Sequence, residues 1–371
     1  MISNIKPTVA GLFVGCGGLD YGFQKAGYEL VWANEISPDA AKSYTLLTGH
    51  SVLVDDVWNV IEKVPETDVI IGGPPCQSFS LVGKRLDNDP RGELVFAFQK
   101  VIDLRRPSAF VMENVPGLLA SKINDERLHN YLARQFDEMG YEVSILKLTA
   151  TDFFVPQKRQ RVFMVGVKKG NRTFELINEE KYGSILGFNK LSCPVSVSDA
   201  LDDLPLVSPK GHIGSSIYSS APHSEYAKLM REDNSDSVFL HSLPTMSELD
   251  KEFVKFIPPG GNYSHIPDAI STRRILSFKK TGGRTTTYGR LHPEKPAYTI
   301  NTFFNRPNVG ANYHHNELRL ITVREALRLQ SFPDRFTPFY SNQRSLHMQV
   351  GNAVPPLMAR AVAESLKSAL I

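Results

Sequence analysis

The chain has 371 residues, 42% hydrophobic and 22% charged, with a net charge of +3, the balance of a soluble globular protein long enough for two domains. No apolar run approaches the roughly 18 residues of a membrane span, and Met1 to Thr8, with one lysine and no extended apolar core, does not read as a signal peptide. Cys16, Cys76 and Cys193 lie far apart with no C-x-x-C pair, so neither a disulfide framework nor a metal site is expected, and a reducing cytoplasm fits.

Residues 8–170 read as repeated strand–helix units. Apolar runs predict strands at Thr8–Val14, Glu29–Ala33, Ser51–Val54, Asp68–Ile71, Ser108–Met112, Glu142–Leu148 and Arg161–Val167. Helical periodicity falls between several of them, as at Leu94–Leu104 and Glu126–Met139. The pattern predicts an α/β fold built on a doubly wound, mostly parallel sheet. After Asn171 the rhythm stops. Residues 171–310 carry prolines, glycines and serines without a sustained period, which predicts a second, smaller, loop-rich domain. A helix is expected at Thr322–Gln330, where Thr322 and Glu325 are spaced as a capping box. The last helix, 355–370, is expected to dock back on the first domain. The domains are therefore drawn as 1–185 plus 345–371, and 186–344.

The stretch Gly72-Gly73-Pro74-Pro75-Cys76-Gln77-Ser78-Phe79-Ser80 follows the buried-strand pattern Val69-Ile70-Ile71. Two prolines fix the backbone before the cysteine, so the thiol sits on a stiff loop at a strand end, where open α/β sheets hold ligands. From the loop alone, a nucleophile and an inert structural cysteine are equally compatible. Phe13-Val14-Gly15-Cys16-Gly17-Gly18-Leu19 follows the first strand and opens a helix; its glycines permit close backbone approach to a ligand. Glu35 ends the second strand and Asp56 the third, the order in which such folds place acids on a ribose and beside a base. The turn lacks the G-x-G-x-x-G spacing of a dinucleotide site, which favours a mononucleoside cofactor. Glu113 follows the strand Ala109–Met112; taken alone, a carboxyl that hydrogen-bonds a substrate ring and a buried acid satisfied by backbone amides are equally compatible. Arg159 and Arg161, two apart at a strand start, are expected to share one face and clamp a phosphate or an exocyclic oxygen. The polar loop from Gly83 to Gly92 reads as a lid or as ordinary surface. From Ser271 to Gly310, eight arginines and lysines stand against Glu294, a net +7 within 40 residues. Hydroxyls, glycines and aromatics interleave them, a composition suited to a polyanion touched at its bases.

Taken together and in order, these motifs resemble the DNA (cytosine-5)-methyltransferase family, typical of bacterial restriction–modification systems. The resemblance also covers Arg319, Thr322-Val323-Arg324-Glu325, Leu329-Gln330-Ser331-Phe332-Pro333 and Gln349-Val350-Gly351-Asn352-Ala353-Val354-Pro355-Pro356. One departure is that many members carry aspartate where Gly11 stands. The resemblance implies a Rossmann-like methyltransferase with S-adenosylmethionine as cofactor, S-adenosylhomocysteine as product, and no metal. It implies Cys76, Glu113, Arg159 and Arg161 as catalytic residues. Cofactor contacts would come from Phe13, Gly15, Gly17, Gly18, Leu19, Glu35, Asp56, Val57, Pro75, Asn352 and Val354. DNA contacts would come from Ser80, Lys84, Arg91, Arg284, Tyr288, Thr299 and Arg306, with the cleft between domains as the DNA channel. The expected partner is double-stranded DNA, bound by a monomer away from any membrane; whether a restriction endonuclease accompanies it stays open. The alternative within the family is a transfer-RNA methyltransferase, but that branch has proline where Ser78 stands and a Cys-Phe-Thr tripeptide missing from this chain.

Overall fold

In a computed structural model, which describes residues 6–75, 94–123, 125–189, 192–209, 214–218, 220–232 and 237–370, Val69, Ile70 and Ile71 are wholly buried. They form β4 (Val69–Gly72), which lies between β1 (Thr8–Leu12) and β5 (Ala109–Asn114) and runs parallel to both. Strands covered on both faces read as continuous apolar runs. The sheet continues through β2 (Glu29–Glu35) and β3 (Leu53–Val54) on one side, again parallel. On the other side β7 (Gln160–Lys168) is antiparallel to both β5 and β6 (Tyr141–Thr149). The order is β3-β2-β1-β4-β5-β7-β6, the doubly wound, mostly parallel sheet that the rhythm of the sequence predicts. Strand order reverses between β1 and β4, and ligands of open α/β sheets bind at the carboxyl ends beside such a reversal.

Helices α1 (Gly18–Lys25), α2 (Pro38–Thr48), α3 (Leu94–Arg105) and α4 (Leu128–Glu138) connect the strands. Local chemistry sets the limits of α2. Ser37 caps its first turn, Pro38 takes the first helical position, and Gly49 closes it at φ 77°. The apolar core gathers Leu12, Ile70, Phe98, Phe110, Met112, Phe136 and Met164. The last helix, Pro356–Lys367, packs on α1, and Tyr28 donates from its hydroxyl to the Ala363 carbonyl at 3.1 Å.

Two compact units divide the chain. The first comprises 1–149, 160–178 and 356–371, and the second 150–159 and 179–355. The boundaries expected near 185 and 345 move to 178 and 355, and the segment Ala150–Arg159 groups with the second unit. The second unit is built of short helices, turns and two-residue strand pairs such as Gln157–Lys158 with Ala297–Tyr298. Its helix Val323–Leu329 carries the expected capping box, with the Glu325 amide donating to Thr322 and the Thr322 amide to Glu325. Among the described residues no helix is long and apolar enough to cross a membrane.

Candidate active site

Because β1 to β5 are parallel, their carboxyl ends share one edge of the first unit. The loop after β1 turns sharply there: Phe13, Gly15 and Gly17 have φ of 54°, 54° and 94°. A left-handed phenylalanine is strained; the two glycines adopt such angles without penalty. Glu35, the last residue of β2, braces this turn, one carboxylate oxygen accepting from the Gly15 amide at 2.9 Å and the other from Ser37 at 2.8 Å. Burial raises the Glu35 pKa, with the Ser37 and Gly15 amides pulling the other way. Asp56 caps the short turn Val57–Asn59 beyond β3, accepting from Trp58 at 3.0 Å. Ile36, 66% exposed, and Trp58 offer uncovered apolar surface in the same two loops. A sharp glycine turn after β1, acids at two adjacent strand ends and exposed apolar surface beside them suit a nucleoside with a charged tail. These residues fit a nucleoside cofactor.

The β4 and β5 ends form the other half of the edge. Glu113 and Arg161 are both buried, and Arg161 Nε lies 2.6 Å from Glu113 Oε1 across the β5–β7 pair. A side chain on Gly73 would stand 3.0 Å from Glu113 Oε2, so a glycine leaves the carboxyl room. Asn114 Nδ2 donates to the Pro74 carbonyl at 2.9 Å and ties the end of β5 to the loop after β4. Pro75 is exposed at the last described position of that loop; Cys76, Ser80, Lys84, Arg91 and the Gly83–Gly92 loop lie outside the described residues. The other two cysteines are poor nucleophiles, since burial pushes the thiols of Cys16 and Cys193 up to about 12.

The sequence profile of the C-5 cytosine-specific DNA methylases matches residues 8–368. The chain belongs to that family. It is 32% identical over 375 residues to the type II methyltransferase M.DdeI of Desulfomicrobium norvegicum, covering 97% of this chain and 88% of that one. It is also 32% identical to M.NgoFVII of Neisseria gonorrhoeae, covering 99% and 87%. Among solved structures it resembles a putative DNA modification methyltransferase encoded within an E. coli prophage, with a TM-score of 0.72, 25% identity, and coverage of 98% and 99%. The S. pombe Dnmt2 methyltransferase, at 16% identity and a TM-score of 0.55, shares the fold.

Within this methylase fold the residues expected at the site separate into groups. Phe13, Gly15, Gly17, Gly18, Leu19, Glu35, Asp56 and Val57 gather at one end of the strand edge, Pro75, Glu113 and Arg161 at the other. Asn352, exposed at the end of helix Gln343–Asn352, and the buried Val354 belong to the second unit. The expected two-arginine clamp is corrected. Arg159 precedes β7 rather than lying on it, so strand alternation does not put it on the face of Arg161. It is 1% exposed and donates within the second unit to the Ile300 carbonyl at 2.9 Å and the Gly351 carbonyl at 2.8 Å. Gln157, two residues before Arg159, serves the same segment, donating to the Leu329 carbonyl and accepting from the Ile300 amide at 2.8 Å. Both side chains hold the stretch that begins with Thr299, an exposed residue whose hydroxyl donates to the Lys158 carbonyl at 2.9 Å. Arg159→Met is expected to lower stability by about 1.5–3 kcal/mol by removing charge-assisted hydrogen bonds, as read by urea denaturation.

The basic stretch also sorts itself. Arg273, Arg274, Lys280, Arg284, Lys295 and Arg306 are exposed. Arg290 is buried, donating to the His314 and Ile257 carbonyls, and Lys279 pairs with Asp268 at 2.6 Å. Tyr288, expected on DNA, is half-buried: its ring meets Phe253 edge-on at 5.5 Å and packs on the second unit's core. Exposed aromatics do occur nearby. Arg306 lies 4.9 Å over Phe303, and Lys158 5.9 Å over Tyr298.

Proposed function

We propose that this enzyme methylates C5 of a cytosine swung out of duplex DNA, using S-adenosylmethionine and a covalent bond from Cys76 to C6. The single observation that supports the assignment is the buried Glu113–Arg161 pair at the end of β5, beside an asparagine that fastens the base of the Cys76 loop. Phe13 to Leu19, Glu35, Asp56 and Val57 would hold the cofactor, joined by Pro75, Asn352 and Val354. When bound, it supplies an electrophilic methyl group.

The chain's own residues must make C5 nucleophilic. The Cys76 thiolate adds to C6 and turns the ring into an enamine with electron density at C5. Glu113 holds a proton at ring N3 and offsets the charge that develops as sulfur adds. Arg161 keeps the Glu113 carboxyl in place and is within reach of the ring O2. After methylation, loss of the C5 proton and departure of the thiolate restore the enzyme. A base stacked in a duplex is inaccessible, and swinging it out costs about a few kcal/mol. The exposed cations between Arg273 and Arg306 offset that cost by pairing with phosphates, with Phe303 and Tyr298 as faces for bases.

Transfer of tritiated methyl groups to duplex DNA, transfer RNA or neither tests the assignment; label in 5-methylcytosine of duplex DNA alone is expected. Label in transfer RNA alone, or without any nucleic acid, excludes it. For the DNA face, replacing Arg273, Arg274 and Lys280 by glutamine is expected to flatten the slope of log K against log salt by about 0.9 for each phosphate no longer neutralised. An unchanged slope in a filter-binding titration takes this face out of DNA binding.

A further inference from the structure

Two positions under the cofactor loop compete for one volume. Gly11 lies in β1, directly before the turn. A Cβ built on it would stand 2.1 Å from Asp20 Oδ1 and 2.7 Å from Val14 Cγ1, closer than atoms can approach. Asp20 belongs to the first turn of α1 and is 1% exposed, and Tyr44 of α2 donates from its hydroxyl to the same Oδ1 at 3.1 Å. A carboxyl group buried so completely is costly unless it is compensated, and burial raises its pKa to about 7. The chain nonetheless keeps it where β1 gives up its side chain, against Val14 of the turn that also contains left-handed Phe13 and Gly15.

We propose that Asp20 is a positioning residue for the cofactor loop, filling from α1 the space that a side chain at position 11 would fill from β1. The two positions are therefore coupled: one carboxyl group belongs between β1 and α1, and either element supplies it. This rests on the reading of Phe13–Leu19 as the cofactor loop. The bare glycine of β1 and the buried acid on α1 are then one feature rather than two.

The test is a cycle of four full-length proteins: wild type, Gly11→Asp, Asp20→Ser and the double variant. Binding of S-adenosylmethionine is read by calorimetry without DNA, alongside thermal melting and the KM–kcat split for the cofactor. Each single change is expected to weaken cofactor binding at least tenfold. Asp20→Ser should raise the cofactor KM by a similar factor and leave kcat within threefold. The double variant should return to within threefold of wild type. Single changes that are harmless, a double variant as poor as the singles combined or unable to fold, or a loss confined to kcat overturns the proposal. A single variant too unstable to assay supports it when the double folds and binds. Wild-type protein that binds no cofactor points to failure of the loop's assignment instead, and recovery of melting temperature in the double variant still decides the coupling.

Discussion

Glu113→Gln is expected to slow methyl transfer by about 10²- to 10³-fold, the loss seen when one pre-arranged partner of a developing charge is removed. Affinity for duplex DNA and for S-adenosylmethionine should stay within a few-fold. The carboxyl group is buried at the end of β5 with Arg161 Nε 2.6 Å away, and glycine at position 73 puts no side chain against its other oxygen. Glutamine keeps the volume and offers amide N–H donors, but no ionisable proton. It neither carries a proton to ring N3 nor balances the guanidinium, so the defect falls on the step in which sulfur adds to the ring. Cys76→Ser should abolish that step. If both residues act in one event, as proposed, the double variant should be no slower than Cys76→Ser by itself, as expected for groups that work as a unit. Single-turnover transfer of labelled methyl groups, with a gel-shift affinity for each variant, separates chemistry from binding. Turnover of Glu113→Gln within tenfold of wild type would remove this carboxyl from the reaction.

The strand-end geometry behind that prediction was legible because a parallel sheet repeats one simple pattern. Val69–Ile71 and Ala109–Met112 are buried on both faces, so nothing polar interrupts them, and the residues that follow must emerge at the same edge. The α2 limits were written in Ser37, Pro38 and Gly49, and the Val323–Leu329 helix in Thr322 and Glu325. Edges were less legible. Ser51–Val54 shrinks to Leu53–Val54 because β2 offers partners only at Asn34 and Glu35. The helix expected from Glu126 begins at Leu128, since Glu126 and Arg127 pair with Lys122 and Ile123. Long-range polar partnerships were not legible. Arg159, Arg290 and Arg161 look alike in a sequence, yet the first two are absorbed by carbonyls far along the chain and the third by a carboxylate. The same holds for Asp20, which reads as an ordinary first-turn acid until Gly11 is seen to yield its space. Only the packed structure tells a buried cation from a surface one.

Arg328→Met should have the largest effect on stability, a loss of about 3–5 kcal/mol as for a buried ion pair broken on one side. The guanidinium is fully buried in the second unit. It grips Asp334 with Nε at 2.7 Å and Nη2 at 2.6 Å, and Asp203 with Nη1 at 2.7 Å, while the Ala200 carbonyl accepts from Nη1 at 2.8 Å. Methionine fills much of the volume but leaves two carboxylates short of charge. Arg231 still reaches Asp203, and Tyr218 still donates to Asp334, with Arg324 3.8 Å off, so the fold weakens rather than collapses. The sign of the pH dependence is set by Asp334. Burial favours its neutral form, yet the Arg328 charge holds its pKa below the ordinary carboxylate range. That stabilisation is complete above the unfolded pKa of about 4 and is lost as pH falls through the folded value. In the variant the carboxyl loses its charge partner, its pKa rises, and acid no longer weakens this site. The stability gap between wild type and variant should therefore narrow on acidification chiefly below about pH 4, as the pH falls from the unfolded value towards the lower folded value. Urea denaturation across that range would show it, and a gap that stays constant or widens on acidification would mean that Arg328 does not hold these carboxylates in their charged form.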